Sequence, residues 1–180
     1  MAVRAVFLDK DGTLVEDVPY NVDPARLRLT RGAAAGLRAL QAAGFRLVVV
    51  TNQSGVARGF FPEARLEELR RGLDDLLANE GVLLHGFFYC PHARSDGCLC
   101  RKPAAGLLRT AARDLDINLT HSWLVGDILD DVEAGRRAGC RTVLLANGSE
   151  TEWRRGRLRR PHAVAPDLGS AARLIMAAAP

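Results

Sequence analysis

Asp9 and Asp11 stand two residues apart at the end of the apolar run V-F-L and lead straight into Gly12 and Thr13. Alternation along an extended backbone sends residues i and i+2 to the same side, so both carboxylates face one small site just beyond a strand. Gly12 lets the chain turn away there without a Cβ clash. Phosphoryl transfer is the chemistry that suits such a pair: one carboxylate attacks while the other shuttles a proton. Alone, D-x-D-G-T also reads as an ordinary Asp/Gly turn.

Further along, L-V-V-V-T-N-Q-S-G puts Thr51 and Asn52 at the end of an apolar strand, where a hydroxyl, an amide and backbone N–H groups can hold phosphate oxygens. Arg101 and Lys102, in R-K-P, precede a helix; they are either a surface pair or the fixed positive charge that a phosphoryl transition state needs. The stretch L-V-G-D-I-L-D-D offers Asp127 after an apolar strand and Asp131 one helical turn on, a set suited to Mg²⁺, a hard ion that prefers oxygen ligands. Asp130 can serve as a helix N-cap. Cys90, His92, Cys98 and Cys100 place three thiolates and an imidazole in one loop, the ligand set of a closed tetrahedral Zn²⁺ site. Disulfides explain these cysteines poorly in a cytosolic chain. Cys140 reads as a small buried residue.

The elements that must position these groups follow from alternating apolar runs and amphipathic stretches, the pattern of a parallel sheet with helices on both faces. Strands are expected at 3–8, 45–50, 86–89, 123–125 and 142–145, and helices at 32–43, 62–79, 104–115, 130–138 and 168–178. The candidate residues fall directly after strands, and ligands of open parallel sheets bind at the carboxyl ends of the strands, where the strand order reverses.

With 180 residues the chain is expected to form a single domain over 1–180. Its 48% hydrophobic and 26% charged residues are those of a globular protein, and no apolar run approaches the ~18 residues of a membrane span. The first residues show no signal-peptide pattern, so the cytoplasm is the expected location. The net charge of +4 includes the run W-R-R-G-R-L-R-R-P from Trp153 to Pro161, either a solvated loop or a docking patch for phosphate-bearing partners. Without interleaved aromatics it carries no expectation of nucleic-acid binding.

The motifs D-x-D-G-T, apolar-T-N, R-K-P and G-D-x-x-x-D, in this order, resemble the haloacid dehalogenase superfamily of phosphohydrolases. The resemblance implies a three-layer, Rossmann-like α/β fold. Asp9 would be the nucleophile and Asp11 the acid and base, with Thr51 and Lys102 holding the transferring phosphoryl group. Mg²⁺ would sit on Asp9, the Asp11 carbonyl and Asp127, with Asp131 in support. Over nearly the whole chain, D-V-P-Y, T-N-Q-S-G-V-A-R-G, C-P-H and C-L-C-R-K-P are similar to the branch of heptose 1,7-bisphosphate 7-phosphatases and histidinol-phosphate phosphatases, which carries a zinc loop here. That likeness implies substrate contacts from Asp17 to Tyr20, from Thr51, Asn52, Gln53 and Ser54, and from Arg101, with Arg58 nearby. Ile128 stands where the heptose enzymes often carry a basic residue.

The expected function is therefore Mg²⁺-dependent removal of the 7-phosphate from D-glycero-D-manno-heptose 1,7-bisphosphate, with structural Zn²⁺, by a monomer that needs neither nucleic acid nor membrane. Histidinol-phosphate hydrolysis and polynucleotide 3′-phosphatase activity are the alternatives. No long insertion separates the first two motifs, so no large cap domain is expected and the cleft is open.

Overall fold

In the computed structural model, residues 3–178 are described. Six strands form one parallel sheet: β1 Ala5–Leu8, β2 Arg46–Asn52, β3 Gly86–Cys90, β4 Trp123–Gly126, β5 Arg141–Leu145 and β6 Ala163–Ala165. Their order is β3-β2-β1-β4-β5-β6. The chain moves outward from β1 to β3, returns to the other side of β1 as β4, and moves outward again. The direction of winding therefore reverses between β1 and β4, and a crevice opens at their carboxyl ends.

Five helices cover the two faces: α1 Ala33–Ala42, α2 Arg65–Asn79, α3 Gly106–Asp114, α4 Leu129–Ala138 and α5 Leu168–Ala177. The strand alternation sorts them. Val6 and Leu8 of β1 face one way and join Leu47, Val49, Leu37, Leu69, Leu73 and Ile175 in the larger core, built with α1, α2 and α5. Ala5 and Phe7 face the other way and pack with Val48, Val50, Leu108, Leu124 and Ala134, under α3 and α4. Both faces of the central strands are thus removed from water, which explains their unbroken apolarity. The register pairs Leu8 with Val49 on one side and with Val125 on the other, so the residues that follow these three strands emerge at one level.

The expected three-layer architecture is present, and no large cap interrupts it. Some boundaries differ. Ala163–Ala165 was not anticipated as a strand, because three small residues carry too little pattern to be seen beside an arginine-rich loop. Thr51 and Asn52 lie within β2 rather than after it. Helix α3 begins at Gly106, two residues later than expected, with the Gly106 N–H donating to Leu99 O at 3.1 Å. Ile128 occupies the N-cap position of α4, so Asp130 is not the cap. Among the described residues no helix is long and apolar enough to cross a membrane.

Candidate active site

Asp9 directly follows β1, its N–H donating to Val125 O of β4 at 3.0 Å. That bond fixes the first carboxylate in the crevice between the two strands. Lys102 reaches it from the loop before α3, although only 2% of this residue is exposed. Its ammonium lies 2.5 Å from Asp9 Oδ1 and 2.7 Å from Asp131 Oδ1, and it donates to Val50 O at 2.8 Å. Burial alone would lower the lysine pKa, but the Asp131 and Asp9 carboxylates outweigh it and hold the ammonium charged beyond its ordinary range.

Asn52 locks the backbone of this lysine. Its side-chain nitrogen donates to Lys102 O at 3.2 Å while its oxygen accepts from Lys102 N at 3.0 Å. An amide expected among the substrate contacts is thereby also spent on positioning the cation. Gln53 performs a similar service, donating to Asp11 Oδ2 at 3.2 Å and to Thr51 Oγ1 at 2.9 Å. Thr51, 1% exposed, is thus tied through Gln53 to the second carboxylate.

Asp11 also pairs with the buried ammonium of Lys10, which no sequence motif had singled out. Burial raises the Asp11 pKa, Lys10 opposes that, and the neighbouring Asp9 carboxylate reinforces it; the net direction is upward. An upward shift is the direction that favours giving a proton to a leaving oxygen.

Asp127 enters at the end of β4, close enough to the first loop that a Cβ at Gly12 (φ +75°) would stand 2.0 Å from Asp127 Oδ2. Only glycine allows both that turn and that approach. Thr13 Oγ1 donates to Asp127 Oδ1 at 3.4 Å. Burial, with the Asp9 carboxylate adding to it, pushes the Asp127 pKa up to about 6. Burial also dominates at Asp131, where Lys102 opposes it and the Asp9 and Asp127 carboxylates reinforce it, giving about 7. One oxygen from each of Asp9, Asp127 and Asp131 lies within 4.8 Å of the others. Three converging carboxylates against one ammonium leave excess negative charge, and a hard divalent cation fits that donor set.

The site also has supports that motifs did not reveal. Asn147, beyond β5, donates to Gly12 O at 2.6 Å, and Glu150 accepts from Leu129 N at 2.6 Å, satisfying the start of α4. Asp130 bridges Arg94 of the cysteine loop at 2.7 Å and Arg159 at 2.5 Å, and Arg159 also meets Glu133 at 2.7 Å. The arginine-rich run is therefore partly spent on holding α4, the helix that carries Asp131.

The cysteine loop converges as expected. Sγ of Cys90 lies 3.5 Å from that of Cys98 and 3.2 Å from that of Cys100; Cys98 and Cys100 are 3.4 Å apart. His92 Nδ1 is 3.5 Å from Cys90 Sγ and 3.3 Å from Cys100 Sγ. All of these cysteines are free thiols. Three sulfurs and an imidazole nitrogen within 4.8 Å of one another fit Zn²⁺, whose ~2.3 Å bonds to sulfur imply edges of roughly 3.8 Å, a little wider than these separations.

A cavity of about 240 Å³ beside Asp11 is lined by Asp17, Pro19, Tyr20, Asn52, Gln53 and Ser54, so the two loops expected to meet substrate do converge. Arg58 stands over the Tyr20 ring, 5.6 Å from its centroid. Arg101 instead lines a neighbouring cavity of about 320 Å³ along the cysteine loop, with Arg94 and Arg137. It donates to His92 O at 3.1 Å, and its buried Nε has no hydrogen-bond partner among the described residues.

An aspartate pair after the first strand of a reversing parallel sheet, with a lysine and further aspartates from later loops, defines the haloacid dehalogenase-like class of α/β hydrolases. In keeping with that geometry, the HAD-hydrolase-like family model matches residues 99–171. The chain is 41% identical over 152 residues to a D-glycero-beta-D-manno-heptose-1,7-bisphosphate 7-phosphatase of Haemophilus ducreyi, covering 81% of this chain and 84% of that protein. The phosphatase of the same name from Escherichia coli K12 is 41% identical over 151 residues, covering 80% and 79%. A crystal structure of D,D-heptose 1,7-bisphosphate phosphatase from B. bronchiseptica, complexed with magnesium and phosphate, superimposes with a TM-score of 0.82 at 32% identity, covering 98% of this chain and 100% of that one. The chain belongs to the family of these heptose-bisphosphate phosphatases, within the haloacid dehalogenase-like hydrolases.

Proposed function

We propose that this chain hydrolyses phosphomonoesters through a phosphoryl group carried on Asp9, and that its substrate is D-glycero-D-manno-heptose 1,7-bisphosphate, dephosphorylated at C7. The observation that carries the mechanism is the buried Lys102 ammonium, 2.5 Å from Asp9 at the end of β1. An Asp9 oxygen attacks phosphorus and the bond from phosphorus to the sugar oxygen breaks. Asp11 gives its proton to that oxygen. Asp11, now a carboxylate, takes a proton from water as the water oxygen attacks the phosphorus, and inorganic phosphate leaves with Asp9 restored. Lys102 offsets the charge gathered on the phosphoryl oxygens, and Thr51 supplies a fixed hydroxyl beside them. Asp9, the Asp11 carbonyl and Asp127 would hold Mg²⁺, with Asp131 in support; the ion's chemistry is to reduce the repulsion between an anionic nucleophile and an anionic phosphate.

Burial of these carboxylates, with their mutual repulsion, also sets a pH dependence. Asp127 has an ordinary pKa of 3.8 and is raised to about 6 in the fold. A raised carboxyl contributes stability that is fully present below about pH 4 and lost as pH rises through about 6. For Asp127 this loss amounts to about 2–3 kcal/mol. Thermal melts of protein without added Mg²⁺, its cysteine-loop metal left in place, should therefore show falling stability between pH 4 and 7, and Mg²⁺ should stabilise far more at pH 7.5 than at pH 5. Equal Mg²⁺ stabilisation at both would contradict the carboxylate assignment.

The Cys90, His92, Cys98 and Cys100 loop would hold Zn²⁺ in a closed site that orders Arg101 and Lys102 without meeting substrate. Elemental analysis should find about one Zn²⁺ per chain, and Cys98→Ser should lose both the ion and stability. Zinc-free protein with unchanged melting would refute this role.

The heptose assignment is supported by the named relatives and by Arg101, beside Lys102 on the loop before α3, whose planar guanidinium gives one donor to His92 O and has others with which to grip a phosphate or hydroxyl group remote from the reacting centre. Turnover of heptose 1,7-bisphosphate, histidinol phosphate and a 3′-phosphorylated oligonucleotide, compared side by side, tests it. The bisphosphate should have the highest kcat/KM. Arg101→Ala should remove most of its advantage over a sugar monophosphate, about 1.5–3 kcal/mol. Preference for histidinol phosphate, or an equal loss on every substrate in Arg101→Ala, would overturn the assignment. The setting we propose for this activity is the cytoplasm, where cysteines stay reduced and available as metal ligands.

A further inference from the structure

Two exposed aromatic rings meet beside the Asp11 cavity, Tyr20 in its wall and Phe60 against Tyr20. Tyr20 is 45% exposed and Phe60 57% exposed, yet they touch each other, with ring centroids 4.7 Å apart and planes at 83°. They come from different loops: Tyr20 from the segment between β1 and α1, Phe60 from the segment between β2 and α2. The second loop folds back on itself, with Phe60 N donating to Gly55 O at 2.9 Å and Arg58 N to Ser54 O at 3.1 Å. That fold separates two neighbouring phenylalanines, since Phe61 packs against the larger core while Phe60 is left at the rim.

Tyr20 carries a second mark. Its φ of +55° is left-handed, a conformation that costs a bulky residue of order 1 kcal/mol and persists where surroundings impose it. Its ring touches Phe60 and has the Arg58 guanidinium 5.6 Å from its centroid. Tyr20 also lines the cavity with Asp11, Asp17, Asn52, Gln53 and Ser54. That cavity, at about 240 Å³ and with mainly polar walls, suits a phosphate and its nearest hydroxyl groups. The rest of a sugar phosphate must extend beyond it, and Tyr20 in the cavity wall, with Phe60 against it, is exposed apolar surface on that side.

We infer that Tyr20 and Phe60 form a stacking subsite for the carbon body of the substrate, with Phe60 a specificity-determining residue that holds the Tyr20 ring in place. The inference rests on the sugar-phosphate reading above. A sugar ring presents apolar C–H faces between its hydroxyl groups, and an aromatic ring buries such a face without asking for a hydrogen bond. An edge-to-face pair leaves ring surface free for that contact, and an arginine beside it meets the hydroxyl or phosphate oxygens at the sugar's edge.

The test compares a sugar phosphate with methyl phosphate, which has the reacting group and no carbon body. Phe60→Ala should raise KM for heptose 1,7-bisphosphate about fivefold to tenfold, with kcat within about twofold and methyl phosphate unaffected. Phe60→Leu keeps apolar bulk without a ring and should behave like Phe60→Ala; Phe60→Trp should restore the wild-type KM. Equal losses on both substrates, an unchanged KM, or full activity in Phe60→Leu would overturn the subsite. Fructose 1,6-bisphosphate run in parallel separates the two readings. If that sugar depends on Phe60 while heptose bisphosphate is not turned over, the heptose assignment fails and the subsite stands. If heptose bisphosphate is the best substrate and neither sugar responds to Phe60, the subsite alone fails.

Discussion

Asp9→Asn is expected to fold like the wild type and to lose at least a thousandfold in kcat. The amide is nearly isosteric with the carboxylate, so the crevice between β1 and β4 keeps its shape, and the Asp9 N–H still reaches Val125 O. What disappears is the group proposed as nucleophile, because an amide oxygen forms no stable bond to phosphorus under these conditions. A thousandfold loss is about 4 kcal/mol of barrier, beyond what a change in substrate positioning would produce without also raising KM. Burial is the larger cause of the raised Asp127 pKa, but the substitution removes the Asp9 carboxylate that adds to it, so the fall in stability between pH 4 and 7 should shrink. Steady-state kinetics and melts of the same preparation give both results. More than about a tenth of wild-type kcat would exclude Asp9 as nucleophile.

Lys102→Ala should damage both activity and stability. Its ammonium is the shared partner of Asp9 and Asp131 and sits in a site from which water is almost absent. Removing it leaves two carboxylates facing each other without compensation, which costs about 3–5 kcal/mol in buried pairs. It also removes fixed positive charge from the transferring group, about a hundredfold to a thousandfold in kcat for every phosphomonoester. Asp131 already has its pKa raised to about 7 with the ammonium present, so without it the carboxyl should be protonated more readily still. The stability deficit should accordingly be largest near pH 8 and smaller near pH 5, where a proton replaces the lost ammonium. Urea unfolding at both pH values measures it. A deficit that is the same at pH 5 and pH 8 would show that packing, not charge, is what Lys102 contributes.

The residues legible in the sequence are those placed by local rules. Asp9 and Asp11 follow an apolar strand, Asp127 follows another, and the cysteines and histidine crowd one short loop; each of these patterns lies within a few neighbouring residues. The sheet was legible for the same reason, since continuous apolar runs such as Leu47–Val50 announce strands buried on both faces. What stayed hidden depends on partners far apart in the chain. Lys10 stands between two aspartates with no pattern to mark it, yet it is buried against Asp11. Asp130 reads as a cap, yet it joins Arg94 and Arg159, and Asn147 reaches Gly12 across 135 positions. Phe60 gives no signal of its own beside Phe61, because only the fold of the loop decides which ring is buried. Asn52 lies where a substrate contact was expected, and its two hydrogen bonds to the Lys102 backbone became visible only in three dimensions.

The most direct test of the account is to trap the phosphoryl group on the enzyme. Excess protein is mixed with magnesium and heptose 1,7-bisphosphate labelled with ³²P at C7, quenched in acid within the first turnover, digested, and the labelled peptide identified by mass spectrometry. The account predicts label on the peptide that contains Asp9, bound through an acid-stable and base-labile acyl phosphate, and no label in Asp9→Asn. Release of labelled phosphate at the wild-type rate with no labelled peptide at any quench time, or label on a different residue, would contradict it.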